Sequence, residues 1–210
     1  LWLCADPAHL RIERGRIHLS GNALSMTAEE MRQIADALTP CVTEIGEFHT
    51  VADDTDTNGH DHNHGHAYIR LREMPRLTTL PPSSLLSQSA LIAQGADAAR
   101  WMRIGNESQM ALHSLPLNAQ RDRDGRPTVN FLWFWGPGAL PPPGARRHAL
   151  ACGYSPLLAG LARWSATPLQ ALPADPAALP SLAQSGEVLM MIDALENAAR
   201  CFDALAWRDA

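Results

Sequence analysis

His113, Asn118, Arg121 and Asn130 are the polar residues whose types and spacing best suit chemistry in this chain. An arginine fork matches the geometry of a carboxylate or phosphate, so Asn118, Arg121 and Asn130 form a candidate anion-binding set. The same two asparagines can instead fix turns through backbone hydrogen bonds, and both readings stand at this point. His113 adjoins Ser114, but neighbouring helix positions point in different directions, so the two are not a nucleophile and its base. The sequence shows no Gly-x-Ser-x-Gly elbow and no evident acid to orient the histidine. A capping or hydrogen-bonded structural role for His113 therefore stands beside a ligand-binding one, and no catalytic residue is assigned.

A second candidate is His60-Asp61-His62-Asn63-His64-Gly65-His66. In an extended segment His60, His62, His64 and His66 would point to one side, as zinc or nickel ligands could. No further ligand spacing fixes a geometry, so a solvated loop that binds metal incidentally is the simpler expectation. Asp53, Asp54 and Asp56 lack the glycine and distal glutamate of an EF-hand loop. No glycine-rich phosphate loop is present, and no cofactor is assigned beyond such a divalent ion.

The elements that must position these residues follow from local pattern. Residues 3–19 alternate as a hairpin turning at Arg14-Gly15. Thr27 and Glu30 make a capping box that opens a helix, with Met31, Ile34, Ala35 and Leu38 on one face and Pro40 closing it. Residues 50–66 read as a surface loop, 67–71 as a strand and 72–92 as irregular. Asp97 to His113 predicts a helix, with Ala98, Trp101, Met102, Ser108, Ala111 and Leu112 available for packing. It ends at a His-x-x-Pro-x-Asn corner and a polar Arg/Gly turn. The aromatic run Val129 to Trp135 then reads as a buried strand closed by Gly136-Pro137-Gly138. Beyond the stiff Pro141-Pro142-Pro143-Gly144 loop, strands at 148–152 and 187–193 alternate with helices at 155–164 and 195–207. Residues 166–182 read as mostly irregular. That alternation predicts a sheet with parallel elements. The fold class is α/β: a mixed sheet with flanking helices, in two portions at 1–144 and 145–210.

Bulk properties narrow the function classes. The chain has 210 residues, 46% hydrophobic and 19% charged, and a formal net charge of -5. All 17 basic residues are arginine, and those near 121–126 alternate with Asp122 and Asp124. No concentrated basic face is predicted, which argues against nucleic acid. No apolar stretch approaches the roughly 20 residues that span a bilayer. Cys4, Cys41, Cys152 and Cys201 form no CxxC pair and read as reduced, mostly buried thiols of a cytoplasmic protein. The start at Leu1-Trp2-Leu3 looks like part of something longer.

The segment from His113 to Gly138 resembles archaeal-type, cofactor-independent phosphoglycerate mutases, on His113, Pro116 (displaced by one residue), Asn118, Arg121, Gly125, Pro127, Asn130, Gly136 and Gly138. The aromatic form, Asn130-Phe131-Leu132-Trp133-Phe134-Trp135-Gly136, is similar to a bacterial branch described as phosphoglycerate mutase-like or RpfE-type regulatory proteins. Trp2-Leu3-x-Ala5-Asp6-Pro7-x-His9-Leu10-Arg11 and Gln109-Met110 are similar to that branch as well. The resemblance implies part of an alkaline-phosphatase-like scaffold, with 1–144 as a cap-like α+β portion and 145–210 as a βαβα part of the phosphatase-like core.

In that family two divalent metals and a transiently phosphorylated serine carry phosphoryl transfer, and both ions are needed to stabilise the attacking and leaving oxygens. The resemblance implies that the first metal-binding aspartate and the serine would belong to an N-terminal region outside this sequence, or one that a longer parent has lost. Where the family places a metal-ligating histidine the chain has Arg200, which cannot ligate a metal. Glu196 alone of that stretch could still bind an ion, and Trp135 replaces a strand-end arginine. The resemblance with these departures predicts a degenerate, non-catalytic protein with a binding or regulatory role. Its expected partners are a small phosphorylated or anionic ligand, or another protein. The competing expectation is a metal-dependent phosphoglycerate mutase or phosphatase.

Overall fold

The computed structural model describes residues 1–13, 16–19, 24, 26–51, 66–82, 94–153, 155–173, 175–182 and 186–192. They form a mixed α/β arrangement of sheets with flanking helices, as the element pattern predicts. The chain divides into two compact units, Leu1–Leu140 and Pro141–Ala210.

The first unit is built on an antiparallel sheet. Its strands are β1 (Trp2–Ala8), β4 (Gly46–Val51), β5 (His66–Leu71) and β6 (Phe131–Gly138), in the order β4-β5-β1-β6. A separate hairpin pairs β2 (Leu10–Glu13) with β3 (Arg16–Leu19), Glu13 opposite Arg16. The alternation around Arg14-Gly15 thus predicts the hairpin correctly, although residues 2–8 leave it to run between β5 and β6. Pro7 is tolerated in this inner strand because pairing with β5 stops at Cys4, so no ladder bond needs its missing N–H on that side.

Leu3, Ala5, Ala67, Ile69, Leu132 and Phe134 turn one face of the sheet into the core. Helix α1 (Ala28–Val42) lays Met31, Ile34, Leu38 and Val42 on it, and α2 (Ala98–His113) adds Trp101, Ile104 and Leu112. The Trp101 and Phe134 rings meet edge to face at 5.1 Å. The capping box at Thr27 and Glu30 is present in both directions. Pro40, however, does not close α1: the helix runs two residues further, to Val42. Only the last turn loses a backbone bond there, and the fully buried Val42 holds that turn on the core. On α2, Met102 is exposed and Ile104 takes the inward position instead.

Two features depart from the local reading. Residues 46–51, the last two within the expected loop, form edge strand β4, while 52–65 lie outside the described residues. The polar Arg/Gly turn after Ser114 is a helix, α3 (Pro116–Arg123).

The second unit holds a parallel sheet of β7 (Leu150–Cys152), β8 (Leu169–Gln170) and β9 (Val188–Met190), ordered β8-β7-β9. Its parallel pairing is what the strand–helix alternation predicts. Helix α4 (Pro156–Trp164) packs Leu158 and Ala162 against Ala151. Within the expected irregular stretch 166–182 lie β8 and the short helix α5 (Leu179–Leu182). The expected helix at 195–207 lies outside the described residues. Among those described, no helix is long and apolar enough to cross a membrane.

Candidate functional site

The polar motif is a corner between α2 and β6, and each motif residue has a local reason to be there. Pro116 occupies the first turn of α3, where its missing N–H has no helical partner to lose. Gly125 ends the helix with φ +67°, the left-handed conformation that a side chain disfavours. Its N–H reaches the Asp122 carbonyl at 3.1 Å, and the Arg126 N–H reaches the Arg121 carbonyl at 2.8 Å. This is a Schellman closure, followed by Pro127, which cannot continue the helix.

Asn118 faces back across the corner. Its Nδ2 donates to the carbonyls of Leu112 and Val129, both at 2.8 Å, and its Oδ1 accepts from the Val129 N–H at 2.7 Å. One side chain thereby ties the end of α2 to the approach of β6. Asn130 ties that approach to the hairpin: Oδ1 accepts from the Leu10 N–H at 2.7 Å, and Nδ2 donates to the Leu10 carbonyl at 2.9 Å. The His9 ring bonds through Nδ1 to the Thr128 carbonyl at 2.7 Å beside it.

Arg121 points into the protein. Its side chain is 3% exposed and meets the 8%-exposed Glu30 at 2.9 Å. Nε also donates to the Pro127 carbonyl at 2.7 Å. Arg126 reaches the same carboxylate at 2.9 Å from a half-buried position. Glu30 in turn accepts from the Thr27 N–H at 2.8 Å, so the capping box of α1 and the motif arginine share one carboxylate. Burial pulls Arg121 below its ordinary value, the Glu30 pairing opposing that. Burial alone would raise the Glu30 carboxyl, but the backbone bond at Thr27 and the Arg126 and Arg121 guanidiniums outweigh it and hold it below its ordinary value. Glu30 is therefore ionised at neutral pH, and since an arginine guanidinium is not deprotonated in proteins the two meet as an ion pair.

This has a pH consequence. A carboxyl depressed in the folded state binds fewer protons there than when unfolded. Its stabilisation is complete above the unfolded value and is lost as pH falls through the folded one. Glu30→Gln keeps an acceptor for the capping box and removes the titration. The variant should show a shallower loss of stability than the parent below about pH 4.5, the ordinary glutamate value, read from urea midpoints. Parallel acid limbs would mean that Glu30 contributes none of the slope.

The structure brings His113, Asn118 and Asn130 to one open depression of about 670 Å³, together with Gln109, Met110, Asp122 and Thr128. Arg121 is not on its wall. His113 ends α2 on the exposed surface, and Met110, one turn before it, is 75% exposed. Glu30, His9 and Thr128 leave no local trace as neighbours of the motif, because they lie 91 to 119 positions from their partners. His60, His62 and His64 lie outside the described residues, and His66 opens β5. Among the described residues, no cluster of three or more potential ligands is placed to hold a metal ion. Trp135 donates through Nε1 to the buried Asp6 carboxylate at 2.7 Å. Burial, with the Asp6 charge second, pushes the neighbouring Cys4 thiol up to about 12, leaving it protonated at neutral pH. Cys152 is buried, and Cys4 and Cys41 are half-buried.

No family model matches the chain. Over 67 residues it is 33% identical to a probable 2,3-bisphosphoglycerate-independent phosphoglycerate mutase of Geobacter sulfurreducens. That match takes in 31% of this chain and 17% of the mutase, under a fifth of its length. Among solved structures, a cofactor-independent phosphoglycerate mutase from Thermoplasma acidophilum is similar at 18% identity and a TM-score of 0.46, over 99% of this chain and 60% of that one. The PH0037 protein from Pyrococcus horikoshii is similar at 15% identity and a TM-score of 0.48, over 99% of this chain and 52% of the other.

Proposed function

We propose that this is a non-catalytic, phosphoglycerate mutase-like cytoplasmic protein of the RpfE-type regulatory kind, on part of an alkaline-phosphatase-like scaffold, with a binding or regulatory role. The observation that carries this reading is how the motif side chains are used. Asn118 and Asn130 brace backbone, and Arg121 is held by Glu30 and Pro127. These contacts make the motif a brace for the surface above it. That surface combines His113, Gln109 and the exposed Met110 with the opposing carboxylate of Asp122. A mixed, weakly charged depression suits a segment of another protein better than a phosphate dianion, which needs forked cations.

The test combines two readouts on the full chain. No interconversion of 3- and 2-phosphoglycerate is expected with added Mn, and titration with 3-phosphoglycerate should leave the amide resonances around His113 and Thr128 unmoved. Turnover would sink the non-catalytic reading. Saturable shifts without turnover would replace the protein partner by a small phosphorylated ligand.

The alternative, a metal-dependent phosphoglycerate mutase or phosphatase, draws its support from the 33% identity to a probable mutase. It requires two divalent ions, Mn, Mg or Zn, in the purified protein, and activity that disappears in Glu196→Ala.

A further inference from the structure

The second unit contains a cavity that none of the motif residues touches. It measures about 380 Å³, within the range of small-molecule sites. Its floor is apolar: Ala151 of β7, with Leu158 and Ala162 of α4, all nearly inaccessible to solvent. Trp164 forms a wall, and its orientation is fixed on two sides. Its Nε1 donates to the Pro141 carbonyl at 3.1 Å. Gly144 lies so close to the indole that a Cβ there would come within 2.3 Å of the ring, so the proline-rich strap 141–148 is seated on the tryptophan.

The rim has a definite charge. Arg147 lies on it and is exposed, and no carboxylate among the described residues is paired with it. Arg146 holds a second positive charge close by, donating to the carbonyls of His148 and Ala149 at 3.1 and 2.6 Å. The His148 ring also lines the cavity, and its Nδ1 is buried with no hydrogen-bond partner among the described residues. Glu187 Oε1 is 3.8 Å from that nitrogen, beyond hydrogen-bonding reach, and its side chain is largely exposed.

An apolar floor, an aromatic wall and a cationic rim define one ligand chemistry. We propose that this cavity binds a small carboxylate with a flat apolar body. The body lies against Trp164 over the floor, and the carboxylate is held at Arg147. The site is separate from the depression at His113 and stands independently of the function proposed there.

The test uses 2-naphthoate as the probe, titrated calorimetrically into the full chain, with 2-naphthalenemethanol as its neutral counterpart. Saturable binding at one site per chain is expected. Arg147→Ala, which changes only an exposed side chain, should weaken it roughly tenfold, and the alcohol should bind weaker by a similar factor, the weight of one charge-assisted hydrogen bond. Ala145→Trp, which fills the mouth from an exposed position, should abolish binding. No saturation by about 1 mM, a limit corresponding to negligible affinity, would overturn the proposal. So would several sites per chain, equal affinity for the alcohol, or unchanged binding in Ala145→Trp.

Discussion

Replacing Arg121 with alanine is expected to destabilise the first unit by about 3–5 kcal/mol, because it leaves the Glu30 carboxylate buried without its buried partner. Arg126 remains on that carboxylate, but from a half-exposed position where an ion pair contributes about 1 kcal/mol or less. The Pro127 carbonyl loses its donor at the same time. The decisive comparison is the double variant Glu30→Met/Arg121→Met. Exchanging both members of a buried pair for apolar groups of similar volume is often neutral, whereas removing one member is not. The single variant should therefore be severely destabilised and the double partly restored, short of the parent by the capping bond to Thr27 that Glu30→Met also removes, as read from urea midpoints. Equal loss in both would mean that Arg121 contributes through packing and Pro127 alone, and no loss in either would remove the pair from the account of stability. The same double variant separates structure from binding. An anion site that uses the Arg121 guanidinium would disappear from a protein that still folds.

How far the sequence reveals this arrangement depends on distance along the chain. The capping box at Thr27 and Glu30, the α2 stripe and the β2–β3 hairpin are local and are readable directly. Strand β4 escapes because it is a sheet edge. Glu47, His49 and Thr50 keep it polar, which protects an edge from pairing further but erases the alternation that identifies a strand. Helix α3 escapes because only Leu117 and Arg121 of its eight residues are buried, so it has no apolar stripe. Its signal was present in the punctuation instead: Pro116 at the start and Gly125 just past the end. The candidate site divides along the same line. That Asn118 and Asn130 have turn-fixing chemistry is legible from residue type. That Arg121 turns inward to Glu30 is not, since a partner 91 positions away leaves no local trace.

Trp133→Ala should be as damaging as the loss of Arg121, by a different route. The Trp133 side chain is wholly buried, packed with Ala8 and Phe131 on the side of the sheet away from the main core. Its ring centroid lies 6.1 Å from that of Phe131. Removing a buried tryptophan ring from close-packed surroundings costs about 3–5 kcal/mol. The indole has a second role, since Nε1 donates to the Leu80 carbonyl at 2.8 Å and so fastens the irregular segment around residues 76–82 to the sheet. Trp133→Phe separates the two contributions: it keeps most of the buried ring and loses the bond, an expected cost of about 1–3 kcal/mol. Both variants should expose backbone near Leu80 to faster hydrogen exchange, while only the alanine variant should lose the larger part of the stability. If phenylalanine proved as costly as alanine, the hydrogen bond to Leu80 would be the dominant contribution. If alanine cost under about 1 kcal/mol, well short of a filled core position, the second face of the sheet would not be a packed core, and the aromatic character of Phe131 to Trp135 would need an explanation outside stability.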